Sequence, residues 1–189
     1  MVTDYNDIVE RVLIDEESLK LKIKQLAKTI NSYYKDKDEL ILVGILKGSV
    51  MFMAELAKNL KIDLKMDFMV VSSYSENTYS SGNVKILKDL DIDVTGKEVL
   101  IVEDIIDTGY TLKKTKENLI NRKAKDVKIV TLLDKPERRE VDIKSDWSGF
   151  KIPNEFVVGF GLDYEQLYRN LPFIGVVKRS VYEDIEDAK

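Results

Sequence analysis

VLIVEDIIDTGYT, residues 99–111, is the stretch that decides the fold class. Its first four residues, 99–102, are all valine, leucine or isoleucine, a composition typical of a parallel strand that is buried on both faces. Two carboxylates, Glu103 and Asp104, follow directly. Open α/β sheets bind ligands at the carboxyl ends of their parallel strands. The stretch therefore predicts a short strand that ends at residue 102, with a polar site just beyond it.

The second half of the stretch has the composition of a phosphate-binding loop. Residues 107–111, DTGYT, offer two threonine hydroxyls and a glycine that lets the backbone approach a ligand closely. A helix is predicted over residues 111–122, and its exposed N–H groups would complete the cradle. Glu103 and Asp104 suit two vicinal hydroxyls or a magnesium ion, so a sugar phosphate satisfies both halves. The alternative is that the acids only end a strand and that one of the first two loop residues caps the helix.

The flanking sequence alternates between helix and strand patterns. Apolar residues three or four positions apart predict helices over residues 15–34 and 50–60, with Asp15 and Ser49 as N-caps. Apolar runs predict further strands over residues 40–46, 64–71, 84–87, 127–133, 156–160 and 174–177, with an irregular segment at 135–154. Strand, helix and strand in succession indicate parallel crossovers, hence an α/β fold with a mostly parallel central sheet flanked by helices. Residues 1–189 contain no repeat or linker and are predicted to form one domain.

Composition limits the chemistry that is available. The 189-residue chain has no cysteine and no histidine, which excludes thiolate nucleophiles, Cys-based zinc sites and the Ser-His-Asp arrangement. Carboxylates, Lys, Arg, Tyr, hydroxyls, backbone amides and a hard cation such as Mg²⁺ remain. The net charge of −4 predicts no nucleic-acid partner. The longest apolar run, residues 40–46, is far shorter than the roughly 20 residues that cross a bilayer, so we expect no membrane contact and a cytoplasmic location.

One polar segment has the character of a lid. Residues 72–83, SSYSENTYSSGN, collect small polar residues without apolar periodicity, which indicates a mobile loop. The alternative is a surface hairpin with no role in binding.

Four segments resemble the type I phosphoribosyltransferases, which bind phosphoribosyl diphosphate (PRPP). VEDIIDTG at 102–109 is similar to the form found in the hypoxanthine-guanine branch of that family. LKGS at 46–49, LDKP at 133–136, and FVVG at 156–159 with LDY at 162–164 match other family segments in the same order. The resemblance covers about residues 12–177. It implies the type I phosphoribosyltransferase fold, with a small hood built from the terminal segments over the active-site edge of the sheet.

The resemblance also implies a reaction. N9 of hypoxanthine or guanine attacks C1′ of PRPP, giving IMP or GMP and diphosphate, with Mg²⁺ as cofactor. Asp107 is the implied catalytic base near purine N7, and helix capping is its alternative role. A homodimer or homotetramer is expected. A xanthine-preferring or adenine-using relative stays open, as does a PRPP-sensing regulator that binds nucleic acid.

The resemblance assigns site residues position by position. Those implied for the ribose and 5′-phosphate are Glu103, Asp104, Asp107, Thr108, Gly109, Tyr110 and Thr111. Those implied for the diphosphate are Lys47, Gly48, Ser73, Tyr74 and Arg169, with Ser73 and Tyr74 on the closing loop. Those implied for the purine are Lys135, Phe156, Val157 and Asp163. Asp163 is also implied for the metal, together with Glu103 and Asp104.

Several of these assignments have competing interpretations. Lys135 would donate to the 6-oxo group of the purine, whereas the 6-amino group of adenine presents a donor to a donor; alternatively this lysine is solvated. Phe156 would stack on the purine, or belong to the core. Tyr110 departs from the family, because some members carry lysine there. In related proteins the bond that matches Lys47–Gly48 can be cis.

Overall fold

The described part of the chain, residues 5–73 and 84–186 of a computed structural model, alternates strands with helices. The strands are β1 Val9–Ile14, β2 Glu39–Leu46, β3 Asp63–Ser73, β4 Val84–Lys88, β5 Glu98–Ile106, β6 Asp126–Asp134, β7 Trp147–Lys151, β8 Val157–Val158 and β9 Ile174–Val177. The helices are α1 Glu16–Tyr33, α2 Val50–Ala57, α3 Tyr110–Asn121 and α4 Arg179–Glu186. None of the helices in these ranges is long and apolar enough to span a membrane.

The central sheet has six strands in the order β4-β3-β2-β5-β6-β7. Every neighbouring pair is parallel except β3 and β4, which are antiparallel. One face packs against α1 and α2 through buried residues such as Leu19 and Phe52, and the other packs against α3 through Leu112 and Leu119. Both faces are therefore covered, as parallel sheets require. The predicted α/β class with a mostly parallel sheet is confirmed.

Helix α1 forms as its sequence predicts. The Asp15 carboxylate accepts a hydrogen bond from the Ser18 N–H at 2.7 Å, which satisfies one of the donors that a helix start leaves free. Leu19, Ile23 and Ile30 are spaced along one face and are buried. At α2 Ser49 also holds the predicted N-cap position, but its side chain makes no capping hydrogen bond.

A second sheet has three antiparallel strands in the order β1-β9-β8. Strand β1 pairs with β9, so segments close to the two ends of the chain lie side by side. Val9, Val158 and Val177 form a small core of their own, against which Tyr182 of α4 packs. A cavity lined in part by residues 154–156 and Tyr182 adjoins this small sheet.

Strand β5 is longer than predicted. Its pairing with β6 continues to Ile106, opposite Asp134, so Glu103 and Asp104 lie within the strand and not after it. The carboxylates interrupted the apolar run from which the end at residue 102 was predicted. The ladder continues because its hydrogen bonds involve only the backbone.

Three other element predictions are corrected. The segment 135–154 is not irregular throughout, because β7 pairs with β6. Only Val157–Val158 of the strand predicted at 156–160 is extended, since Gly159 has a φ of 99° and turns the chain. The helix predicted over 50–60 ends at Ala57. Of the predicted polar loop, residues 72–73 belong to β3, and residues 74–83 lie outside the described residues.

Candidate active site

The loop after β2 lies directly against β5. A Cβ on Gly48 would stand 1.6 Å from Oδ2 of Asp104, so any side chain there would displace the Asp104 carboxylate. Gly161, with a φ of 104°, packs against the loop that follows β2. A Cβ on Gly161 would stand 2.0 Å from the carbonyl oxygen of Gly48. The Leu46–Lys47 peptide is cis, one bond before the bond that can be cis in related proteins. Segments 46–49 and 159–164 therefore meet beside the β5 carboxylates.

Glu103 and Asp104 form a pair of acids with few protein partners. Asp104 is buried, and its Oδ1 accepts from the Ile105 N–H at 2.8 Å. Oε2 of Glu103 is buried with no hydrogen-bond partner among the described residues. Burial raises the pKa of Asp104 to about 6, and burial together with the neighbouring Asp104 raises the pKa of Glu103 well above its usual value. Such oxygens suit hydroxyl donors or a hard cation.

The loop between β5 and α3 presents free backbone donors. Gly109 occupies the N-cap of α3 with a φ of 93°, and no side chain caps the helix. The alternative role of Asp107 or Thr108 as the cap is therefore wrong. Within the described ranges, the N–H groups of Thr108 and Gly109 donate to no protein acceptor. Free N–H groups at a helix start form a ready site for an anion such as phosphate.

A cavity of about 560 Å³ opens beside this loop. Its lining residues are Asp107, Lys135, Arg138, Asn154, Glu155, Phe156, Arg179 and Tyr182. Lys135 is buried, and burial lowers its pKa, so the solvated alternative is wrong. Phe156 is 38% exposed and is not a core residue; its ring stacks on Tyr182 with centroids 5.3 Å apart. The cavity thus offers a buried donor and an exposed aromatic face. Val157 is buried.

A polar network joins the remaining predicted residues. Arg169 forms an ion pair with Oδ1 of Asp163 at 2.8 Å, and Oδ2 of Asp163 accepts from the Gln166 N–H. Lys47 donates to the Gln166 side chain at 2.9 Å, and Arg169 donates to the same oxygen at 3.2 Å. The two cations predicted to bind diphosphate therefore converge on Gln166, which sequence reasoning missed. Ser73 ends β3, and Tyr74 lies outside the described residues.

Sequence reasoning also missed two arginines and a tyrosine. Arg138 donates from Nε to Oδ1 of Asp107 at 2.9 Å, and Arg139 donates to the Asp107 carbonyl. Both arginines belong to the mixed charge run 135–140, which is typical of a solvated surface. Of that run, only Lys135 was predicted to be a site residue. Tyr182 came from a helix that sequence reasoning did not predict.

The acids of the site fit a magnesium ion that arrives with its substrate. Among the described residues no group of three or more Asp or Glu side chains is arranged to hold a metal ion by itself. Magnesium usually keeps several waters and takes one or two carboxylates together with substrate phosphates. Glu103 and Asp104, with the unpartnered Oε2 of Glu103, supply that number of carboxylates.

Comparisons with known proteins identify the family to which the chain belongs. The model of the family described as "Phosphoribosyl transferase domain" matches residues 13–165. The chain is 55% identical over 175 residues to the hypoxanthine-guanine phosphoribosyltransferase of Bacillus subtilis, covering 93% of this chain and 97% of that protein. It is 59% identical over 174 residues to that of Lactococcus lactis, covering 92% and 94%. A crystal structure of a hypoxanthine phosphoribosyltransferase from Staphylococcus aureus superposes with a TM-score of 0.91 at 48% identity, covering 96% of this chain and 99% of that one.

Proposed function

The chain belongs to the phosphoribosyl transferase family, and from that membership and the site geometry we propose that it performs purine salvage. It transfers the 5-phosphoribosyl group of PRPP to N9 of hypoxanthine or guanine, giving IMP or GMP and diphosphate. The observation that carries this proposal is the position of Asp107. This residue begins the loop with free N–H groups and also lines the cavity that holds Lys135 and Phe156. A sugar phosphate and a purine bound in these two places would meet there.

The reaction needs positioning and charge neutralisation and no covalent nucleophile. The purine N9 lone pair forms the bond to C1′, and the bond between C1′ and the diphosphate oxygen breaks with its electron pair leaving on diphosphate. Asp107 accepts the ring proton that the purine loses. Lys135 donates to the 6-oxo group, and Phe156 stacks on the base. Loop N–H groups with Thr108 and Thr111 hold the 5′-phosphate. Tyr110, where some relatives carry lysine, adds no cation to this loop.

Glu103 and Asp104 would bind the ribose hydroxyls and hold Mg²⁺. When bound, magnesium neutralises charge on the diphosphate as that group leaves. Lys47, Gly48 and Arg169 would meet the diphosphate oxygens, together with Ser73 and Tyr74. Asp163 stays a candidate for the metal and the purine; its two oxygens are engaged by Arg169 and the Gln166 N–H. A cytoplasmic homodimer or homotetramer follows from the family resemblance.

The experiment that tests this function is diphosphate release with PRPP and Mg²⁺, with hypoxanthine, guanine, xanthine and adenine offered in parallel. We expect turnover with hypoxanthine and guanine and none with adenine. Turnover with adenine alone would keep the reaction and overturn the role of Lys135. Absence of turnover with every base would contradict the enzyme and favour a PRPP-binding regulator.

Asp107→Asn tests the assignment of the base. The amide keeps the shape of the side chain but accepts no proton, so we expect kcat to fall by about 10²-fold or more while KM for PRPP changes little. The exposed Asp36→Asn is the matched control and should leave both constants unchanged. Equal kcat in wild type and Asp107→Asn would remove Asp107 as the base.

A further inference from the structure

Arg139 lies behind the phosphate loop and makes its contacts almost entirely with backbone. Its side chain is 17% exposed and forms an ion pair with Oδ1 of Asp134 at 2.5 Å. The same guanidinium donates to three carbonyl oxygens, those of Asp107 at 2.9 Å, Ile106 at 3.3 Å and Ile143 at 2.7 Å. A forked, planar donor can satisfy several acceptors at fixed angles, which a lysine ammonium does less well.

These contacts orient a run of peptide groups. The next carbonyl of the loop, that of Thr108, accepts from the Glu140 N–H at 3.0 Å. Three successive carbonyls, those of residues 106–108, are thus held from behind by residues 139–140. In a planar trans peptide the N–H group points away from the carbonyl of the same unit. The N–H groups of these three units therefore face away from Arg139, toward the side where the phosphate would bind.

Packing holds the loop on the arginine stem as well. Gly109 has a φ of 93°, and a Cβ there would stand 3.0 Å from Cδ of Arg139 and 2.5 Å from Cγ2 of Ile143. The loop therefore rests directly on residues 139–143 with no room for a side chain between them. Asp134, the ion-pair partner, immediately precedes Lys135 and joins the end of β6 to the same arginine.

We propose that Arg139 is a positioning residue for the 5′-phosphate: it sets the direction of the loop N–H groups without touching substrate. This inference rests on the proposed function. It predicts that Arg139 contributes to the binding of a nucleotide but not of the corresponding nucleoside, because only the nucleotide carries the phosphate that those N–H groups receive. The effect of Arg139 on nucleotide binding depends on the forked geometry of its guanidinium and not on the positive charge alone.

The test is calorimetric titration of GMP and of guanosine into the wild type and two variants. Arg139→Lys keeps the charge and removes the fork, and Asp134→Asn weakens the ion pair that holds the fork in place. We expect the ratio of GMP to guanosine affinity to fall about tenfold or more in Arg139→Lys. It should fall by less in Asp134→Asn. Arg122→Lys, whose arginine pairs with Asp89 at 2.6 Å at the far end of α3, is the matched control and should leave the ratio unchanged.

Each outcome bears on the inference. An unchanged ratio in a folded Arg139→Lys protein, or equal losses for GMP and guanosine, would overturn it, because a general structural defect weakens both ligands alike. If Arg139→Lys does not fold, Asp134→Asn takes its place. An unchanged ratio of GMP to guanosine affinity in that variant would overturn the inference, and a lowered ratio would support it. A wild type that binds GMP no more tightly than guanosine would contradict the proposed function itself, and the role of Arg139 would fall with it.

Discussion

At the scale of single residues, the role proposed for Lys135 would explain the choice of base. Its ammonium is buried beside the cavity, where a 6-oxo group is an acceptor and the 6-amino group of adenine is not. Burial lowers the pKa of Lys135, although nearby Asp107 opposes that shift. Because a 6-oxo purine favours the protonated lysine, affinity for hypoxanthine should fall as pH rises through this lowered pKa, before exposed lysines lose their protons.

The measurement for Lys135 is KM for hypoxanthine between about pH 7 and pH 10. Lys135→Arg supplies a cation that does not titrate in this range, so its KM should rise less with pH than that of the wild type. Identical slopes in the two proteins would exclude Lys135 as the titrating group.

The buried charge of Asp104 lowers the stability of the folded protein. Its carboxylate is buried with one hydrogen bond, and burial raises its pKa from 3.8 to about 6. A raised carboxyl pKa means that the charged form is disfavoured in the folded state, so the cost is present above about pH 6 and is absent below the unfolded value. For this pKa shift, the loss in the free energy of unfolding is on the order of 2–3 kcal/mol.

Asp104→Asn should therefore stabilise the protein while it removes activity. The amide oxygen still accepts from the Ile105 N–H, and no charge remains buried. We expect the melting temperature at pH 7.5 to rise by about 5 °C and turnover to fall by about 10²-fold or more. Thermal unfolding and diphosphate release measure the two effects, with Asp36→Asn as the exposed control. A lower melting temperature would show that the charge is compensated in the folded state.

Candidate site residues could be recognised from the sequence where they lie close together in the chain. The stretch 99–111 contains both carboxylates and the loop, so a single pattern identifies them. Arg139 could not be identified in this way, because its loop acceptors lie 32 and 33 residues earlier in the chain and are backbone carbonyls. Any residue type presents the same carbonyl, so nothing in the acceptor sequence marks the contact.

At the scale of elements, the strands with apolar runs and α1 were predictable, whereas the partly exposed β1 and β7 were not. Strand β9 was predicted with its observed bounds because all four of its residues are apolar and buried. Strand β7 was missed because its residues are only partly buried, and pairing with β6 decides its conformation more than its own sequence does. The length of β5 was underestimated because Glu103 and Asp104 interrupt its apolar run, while its pairing with β6 continues to Ile106.

Helix α4 brings Tyr182 to the purine cavity, and this placement makes a prediction. The ring stacks on Phe156 with an interplanar angle of 28°, and the Tyr164 hydroxyl donates to the Val181 carbonyl at 2.9 Å, which anchors the helix. Tyr182→Ala should raise KM for hypoxanthine and guanine about two- to tenfold, since aromatic pairs contribute on this scale. KM for PRPP should stay within about twofold of the wild-type value.

Tyr182→Phe is the matched control for this prediction, because it keeps the stacked ring and removes only the hydroxyl. Steady-state kinetics with each substrate varied in turn measure the effect. If Tyr182→Ala raised both KM values equally, α4 would support the whole site and not the purine side.

At the scale of the whole molecule, the proposed binding sites would divide the two substrates between the two sheets. The predicted PRPP contacts lie mainly on the central sheet, on β5 and the loops that follow β2 and β5. Much of the purine wall lies on the small sheet and α4, since Glu155 and Phe156 precede β8 and Tyr182 belongs to α4. Strand β1 contacts this wall through Arg11, whose Nη2 donates to both carboxylate oxygens of Glu155 at 2.7 Å.

This division predicts that two distant substitutions raise the KM values of different substrates. Arg11→Gln loosens Glu155 on the small sheet, so KM for hypoxanthine should rise about two- to fivefold with KM for PRPP unchanged, a modest effect because the pair is partly exposed. Gly109→Ala forces a Cβ to within 2.5 Å of Ile143 at a φ of 93°, so KM for PRPP should rise far more than KM for hypoxanthine. Both constants are measured for both proteins at saturating co-substrate. If either substitution moved the two KM values together, the sheets would act as one unit and the division would be wrong.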